Sequence, residues 1–179
     1  MTIYEFSAQV LSRSNGQSSV ASAAYRSGER LLDERTGQTT FYKRYLQPET
    51  MIISPSHAPE WVHDRNRLWN EAEKSETRKN SQIAREIKVS LPTELSAEQQ
   101  TDLIKDYVHT QFVYNGMIAD IAIHREDPKN PHAHILMTTR EISKQGFTVK
   151  NRDWNDRALL VRWREQWTIH SNRALKKGH

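Results

Sequence analysis

The spacing of apolar positions changes several times along the chain, and each change marks an element. Residues 2 to 11 run through Ile3, Tyr4, Glu5, Phe6, Ser7, Ala8, Gln9 and Val10 in a mixed alternating pattern. That pattern predicts a first strand, stopped by the turn-forming Ser12, Ser14, Asn15 and Gly16. From Ser18 to Leu32 small and apolar residues recur at helical spacing, with Ala21, Tyr25, Gly28 and Leu32 on one stripe and Val20, Ala24, Ser27 and Leu31 beside it. Thr36, Gly37 and Gln38 turn the chain into Thr39 to Tyr45, an aromatic and β-branched run that suits a short strand or hairpin arm. Pro48, Pro55 and Pro59 fence a loop, after which Glu60 to Lys74, carrying Trp61, Leu68 and Trp69, reads as a helix.

The second half is patterned more strictly. Ala84 to Leu91 alternates, with Arg85, Ile87, Val89 and Leu91 pointing one way and Glu86, Lys88 and Ser90 the other, so it predicts a half-buried strand ended by Pro92. Ser96 followed by Gln99 is a capping-box signature. The helix it opens presents Leu103, Ile104, Tyr107, Val108 and Phe112 on its apolar face and stops at Asn115-Gly116. Met117 to His124 and Ala133 to Arg140 read as strands joined by a turn too short for a crossover helix, so they pair antiparallel. Asn155 to Lys177, with Leu159, Leu160, Trp163, Trp167 and His170 at helical spacing, predicts a last helix. The sum is an α+β fold built on an antiparallel sheet, not a doubly wound parallel one. At 179 residues, it suits one domain spanning 1 to 179.

Composition narrows the chemistry. The chain has no cysteine, which excludes a disulfide scaffold, thiol catalysis and a thiolate zinc site and leaves its 8 histidines and its carboxylates for any metal. Hydrophobic residues are 36% and no window approaches the ~20 apolar residues of a membrane span. The start MTIYEFSAQV has no basic-then-apolar signal, so a soluble, cytoplasmic protein without membrane insertion is expected. Lys and Arg number 26 against 22 Asp and Glu, a net +4 that is compatible with a polyanionic partner without establishing one.

The chemistry concentrates between His124 and His134. His132 and His134 stand two apart on a strand and share a face; Asp120, Ala122 and His124 share a face of the preceding strand, so antiparallel pairing can bring His124 beside them. Three imidazoles leave coordination positions open for water or substrate, as a catalytic metal requires, although isolated histidines are more often solvated or satisfied in a core. Glu86 lies on the polar face of its strand, where it could hold a ligand histidine, bind the metal, take a proton, or simply be solvated. Tyr25 sits among Ala21, Ser22, Ala24 and Gly28, small neighbours that leave a phenol accessible. A phenol is a useful nucleophile only with a cation or base close by. Basic runs interleave with Trp154, Trp163 and Trp167, a combination that suits phosphate contact and base stacking or, at helical spacing, a core with a solvated charged face. Phe41, Tyr42 and Tyr45 beside Lys43 and Arg44 form a patch that is ambiguous in the same way.

Taken together, these segments resemble the N-terminal relaxase domain of the MobA/MobL family (MOBQ type), plasmid mobilisation enzymes of the His-hydrophobe-His endonuclease class. The resemblance runs through Tyr4 to Val10, Ser12 to Ser18, Ala23-Ala24-Tyr25, Arg78-Lys79-Asn80-Ser81-Gln82 to Leu91-Pro92, Asn130-Pro131-His132-Ala133-His134, Arg152-Asp153-Trp154 and Trp163 to Leu175. It implies a central antiparallel sheet flanked by helices, as in rolling-circle initiators. It implies that Tyr25 attacks a phosphate of one strand at an origin of transfer, giving a 5′-phosphotyrosyl link and a free 3′ hydroxyl. A divalent ion, Mn2+ or Mg2+, would be held by His124, His132 and His134, with Glu86 supporting it or moving a proton, and no nucleotide cofactor would be needed. Arg13, Arg26, Arg78, Lys79, Arg85, Lys88 and Arg152 are the DNA-contact candidates. The DNA partner would be single-stranded at the nick with a duplex or hairpin beside it, alongside other relaxosome proteins and a coupling protein. The resemblance further implies that the chain is the N-terminal part of a longer protein.

Three other readings keep some of these residues. A replication or transposition initiator would share the chemistry; a non-catalytic origin- or promoter-binding regulator would bind DNA equally well with Tyr25 changed to Phe; a three-histidine hydrolase would form no covalent intermediate.

Overall fold

The computed structural model describes residues 5 to 178. Five strands form one antiparallel sheet: β1 (Phe6–Ser12), β4 (Glu49–Ile53), β5 (Gln82–Ser90), β6 (Ala119–His124) and β7 (His132–Met137), in the order β1-β5-β7-β6-β4. Two small ladders accompany it, β2 (Leu31–Leu32) with β3 (Thr39–Thr40), and the hairpin of β8 (Arg140–Ser143) and β9 (Gly146–Lys150). The helices are α1 (Ser19–Ser27), α2 (Arg65–Lys74), α3 (Ala97–Gln111) and α4 (Arg157–Gly178).

The period-2 alternation of the strands divides the core in two. Ile87, Val89, Ile121, Ile135 and Met137 pack with Leu103, Ile104, Tyr107, Trp163 and Trp167 of α3 and α4. On the other face Ala84 and Leu136 pack with Val20, Ala23 and Ala24 of α1 and Leu68 and Trp69 of α2. The fold is therefore α+β, a central antiparallel sheet with helices on both faces. Trp163 and Trp167 are core residues, and Tyr107 donates its hydroxyl to the Trp163 carbonyl at 2.7 Å, joining α3 to α4.

Local signals account for most element ends. Ser96 and Gln99 form the expected capping box, and Asp64 caps α2 by accepting from the Arg67 amide at 3.2 Å. Several expectations are corrected. The helix expected over Ser18 to Leu32 stops at Ser27, because Gly28 adopts φ 75° and Leu31–Leu32 then pairs as β2. The arm expected over Thr39 to Tyr45 is a strand only at Thr39–Thr40. The helix expected from Glu60 is a 3-10 turn, Glu60–His63, followed by α2, since Asp64 is extended and restarts the helix. The stretch between Pro48 and Pro55, read as loop, is the edge strand β4, where the prolines bound the strand rather than interrupt it. The strand expected to continue to Arg140 ends at Met137, and Arg140 begins the β8–β9 hairpin. The first strand is seen from Phe6 to Ser12; residues 2 to 4 of the expected strand lie outside the described residues.

Candidate active site

The register of the sheet assembles the histidines. His124 stands directly opposite His132 in the β6–β7 ladder, and Ala122 stands opposite His134, so all three rings project from the face that α1 and α2 cover. Their ring centroids are 5.2, 4.7 and 5.2 Å apart, and one ligand nitrogen from each lies within 4.8 Å of the others.

A second bond orients each ring. His132 donates from Nδ1 to the Asn130 carbonyl at 2.8 Å, and His134 from Nδ1 to Glu86 Oε1 at 2.9 Å, which leaves Nε2 of both with a lone pair. His124 donates from Nε2 to the Arg26 carbonyl at 2.8 Å. Burial, reinforced by the charges of Arg44 and the neighbouring rings, pushes His124 down to about 4, and burial also lowers His134 against the pull of Glu86. Both are therefore neutral near pH 7, the form that binds metal. Neutral, converging and oriented imidazoles fit a divalent transition metal, Zn, Fe or Ni most tightly and Mn2+ more weakly, whereas Mg2+ prefers oxygen ligands.

Glu86 is buried at 4% exposure, yet its carboxyl is held below the ordinary range. Burial works against the charge, but the bond from His134 and the adjoining Arg26 guanidinium outweigh it. Arg26 thus grips the site twice, by its carbonyl on His124 and its guanidinium on Glu86. The preceding residue on α1 is Tyr25, with its side chain 42% exposed. Its ring lies 4.7 Å from that of Tyr42 and under the guanidinium of Arg44, 4.6 Å away.

The remaining DNA-contact candidates divide by position. Lys88 lies opposite His134 in the β5–β7 ladder and 3.8 Å from Glu5, on the histidine face. Arg13 is tied to α2, donating to the Glu76 carbonyl at 2.7 Å and reaching Glu73 at 3.3 Å. Arg78 and Arg152 line a cavity of about 410 Å³ with Arg140 and Lys150, and Lys79 is exposed beside it. This cavity includes Gln82, at the end of β5 away from Ser90, which pairs with His132; eight residues of strand separate the two ends, about 26 Å. Arg85 is buried on the opposite face of the sheet, over the Trp163 ring and bonded to Asn155. The sheet therefore brings together the histidines, Glu86, Arg26 and Lys88, and sets Arg13, Arg78, Lys79, Arg85 and Arg152 apart.

The sequence places Asp120 on the histidine face and shows the Phe41 to Tyr45 patch, but assigns neither a part in the site. Asp120, two pleat repeats before His124 on the same face, accepts from Arg65 Nε at 2.8 Å and from Trp69 Nε1 at 2.9 Å, while Arg65 also meets Glu29 just beyond α1. The apolar setting of a carboxylate within β6 is the signal that a cation must lie opposite. The other part is the segment 41–47, laid across the end of α1, and the aromatic-cation run Phe41 to Tyr45 is its only trace in the sequence.

Residues 17–179 match the model of the MobA/MobL family. The chain is 40% identical over 162 residues to a conjugal transfer protein TraA of Rhizobium radiobacter, covering 84% of this chain and 14% of the relative. It is 36% identical to a mobilization protein MobL of Acidithiobacillus ferridurans over 217 residues, 100% of this chain and 56% of that protein. A solved structure described as "Molecular Basis of Vancomycin Resistance Transfer in Staphylococcus aureus" superposes with a TM-score of 0.90 at 34% identity, over 98% of this chain and 94% of that one. The chain thus spans about one seventh of the TraA relative and just over half of the MobL relative. Among the described residues no helix is long and apolar enough to cross a membrane. By family model, sequence identity and fold, this chain belongs to the MobA/MobL family.

Proposed function

We propose that this chain is the DNA-nicking domain of a conjugative mobilisation relaxase, cutting and rejoining one strand at an origin of transfer with Tyr25 as nucleophile. The observation that carries this reading is Arg26, which ties the end of the Tyr25 helix to both His124 and Glu86. The phenol oxygen of Tyr25 forms a bond to the scissile phosphorus as the bond to the 3′ oxygen breaks. The proton lost by the phenol is balanced by one gained at the 3′ oxygen. One phosphodiester replaces another, so the reverse reaction rejoins the strand without a nucleotide cofactor.

His124, His132 and His134 would hold a divalent ion, Mn2+ or Mg2+, which when bound supplies charge stabilisation to the phosphate oxygens. Glu86 keeps the His134 ring aligned and Arg26 keeps α1 against β6. Lys88, flanking the ring cluster, suits a backbone phosphate of the single strand. Arg78, Lys79 and Arg152, toward the Gln82 end of β5, suit DNA farther from the nick. The partner is plasmid DNA, with other relaxosome proteins and a coupling protein engaging the rest of a longer chain.

The test mixes the protein, and its Tyr25→Phe variant, with plasmid carrying the cognate origin of transfer, in Mn2+ or in chelator, and resolves covalent adducts on a denaturing gel. A metal-dependent adduct from the parent chain alone supports the reading. Equal DNA binding by both proteins with no adduct supports the non-catalytic regulator instead, and an adduct surviving in Tyr25→Phe shifts the nucleophile to another tyrosine.

A further inference from the structure

The segment 41–47 turns its large side chains outward. Phe41 is 47% exposed, Tyr42 48% and Tyr45 95%, and none of them belongs to either core cluster. Two of its polar side chains nevertheless anchor it to the end of α1. Arg44 donates from Nε to the Tyr25 carbonyl at 3.2 Å and Gln47 from Nε2 to the Ser27 carbonyl at 2.9 Å, satisfying two of the carbonyls that the end of α1 leaves open. Arg44 also lies 3.8 Å from Glu126, just beyond β6. The close approach depends on Gly28, where a Cβ would sit 3.2 Å from Arg44 Cγ and 3.1 Å from Gln47 Nε2.

Cations alternate with these rings. Arg30 lies 4.6 Å over Phe41 and Arg44 lies 4.9 Å over Tyr42, while Lys43 is exposed between them. Tyr42 in turn packs on Tyr25 at 4.7 Å, so the exposed rings are continuous with the candidate nucleophile. Exposed aromatic faces next to guanidinium groups suit a chain of flat bases on a phosphate backbone: the rings stack and the cations meet phosphate. Rings and arginines also occur together at protein interfaces; what favours a nucleic acid here is that the ring series runs directly into Tyr25, whose proposed target is a phosphodiester.

Building on the relaxase reading, we infer that Phe41, Tyr42 and Tyr45 form a stacking platform for the unpaired bases flanking the cleaved phosphate, with Arg44 and Gln47 as its anchors. Tyr42 acts here as a positioning residue, holding the base next to the phosphate that Tyr25 attacks. Tyr45 extends the platform outward by another base.

The experiment compares two labelled probes of equal charge, a 12-nucleotide oligothymidylate and a 12-nucleotide abasic strand, by fluorescence anisotropy in chelator. The intact protein should prefer the thymidylate. Tyr42→Ala and Tyr45→Ala should each weaken thymidylate binding by about 5- to 100-fold while leaving the abasic strand unchanged. Tyr42→Phe and Tyr45→Phe should restore the preference, which separates stacking from damage to the fold. An unchanged preference in the alanine variants overturns the platform, as does an equal loss on both probes. If the alanine variants alter only self-association in sedimentation, the rings serve a contact between copies and the inference falls. Adduct formation on cognate origin DNA, measured on the same preparation, separates the two levels. An adduct with no base preference overturns the platform alone, whereas no adduct together with no binding to either strand overturns both readings.

Discussion

Glu86 and His134 share a 2.9 Å hydrogen bond although they are not register partners: Glu86 lies opposite Leu136, and His134 opposite Lys88. The bond is a diagonal one across β5 and β7, within reach only because both residues rise from the same face of adjacent strands. It fixes which ring nitrogen of His134 remains free for a metal. Replacing Glu86 by Gln or Ala should lower Mn2+ affinity about 10- to 100-fold, read by isothermal titration calorimetry, with little change in circular dichroism. Unchanged Mn2+ affinity would remove Glu86 from the site.

Asp120 and Arg65 form a buried pair whose members lean on each other. Asp120→Ala strands the Arg65 guanidinium and the Trp69 indole, and should cost about 3–5 kcal/mol in urea unfolding. The double variant Asp120→Leu with Arg65→Met should be less destabilised than either single change. A larger loss in the double variant would show that the pair is net stabilising beyond its burial cost.

Glu76 meets Arg140 at 2.8 Å and Lys150 at 3.1 Å beneath the basic cavity. Burial alone would raise its carboxyl, but the two cations hold it below the ordinary range. A carboxyl whose folded value is depressed contributes stability above its unfolded value, and that contribution is lost as pH falls through the folded one. The intact chain should therefore melt higher than Glu76→Gln at pH 7, and the two melting curves should converge as pH is lowered below the usual carboxylate range. A constant gap across that range would mean that Glu76 acts through packing rather than charge.

Gly28→Ala places a Cβ at φ 75° and against Arg44 and Gln47. A left-handed non-glycine residue costs about 1–2 kcal/mol, and the displaced segment adds to it. Thermal melting should fall accordingly, and proteolysis between residues 41 and 47 should quicken. Protection equal to that of the parent would show the segment is anchored elsewhere.

The sequence disclosed most where one physical rule acted alone. The alternation from Ala84 to Leu91 and the capping box at Ser96 needed no partner to be recognised, and the spacing of His124, His132 and His134 already assigned them a common face. What stayed hidden depended on contacts between distant residues. Pro48 and Pro55 made β4 look like loop because an edge strand tolerates them at its ends, a fact only the neighbouring β6 reveals. Arg85 shared a stripe with Ile87 and Val89, so alternation correctly placed it on the core-facing side, away from Glu86. The resemblance nevertheless made it a DNA-contact candidate, and only the packing of Trp163 and Asn155 shows that it is enclosed there. The support that Arg26 gives to His124 passes through a backbone carbonyl, which no side-chain pattern can announce.

The histidine-bearing strands are paired on both sides, β6 between β4 and β7 and β7 between β5 and β6, whereas the segment 41–47 is held by a few side chains at the surface. Such interior ladders open only when the whole domain unfolds, while a strap of this kind opens by itself and far more often. The two halves of the proposed machine therefore run on different clocks. On the relaxase reading, the histidine geometry would outlast many rounds of ion exchange, and the excursions that admit and release a strand would fall on the aromatic strap.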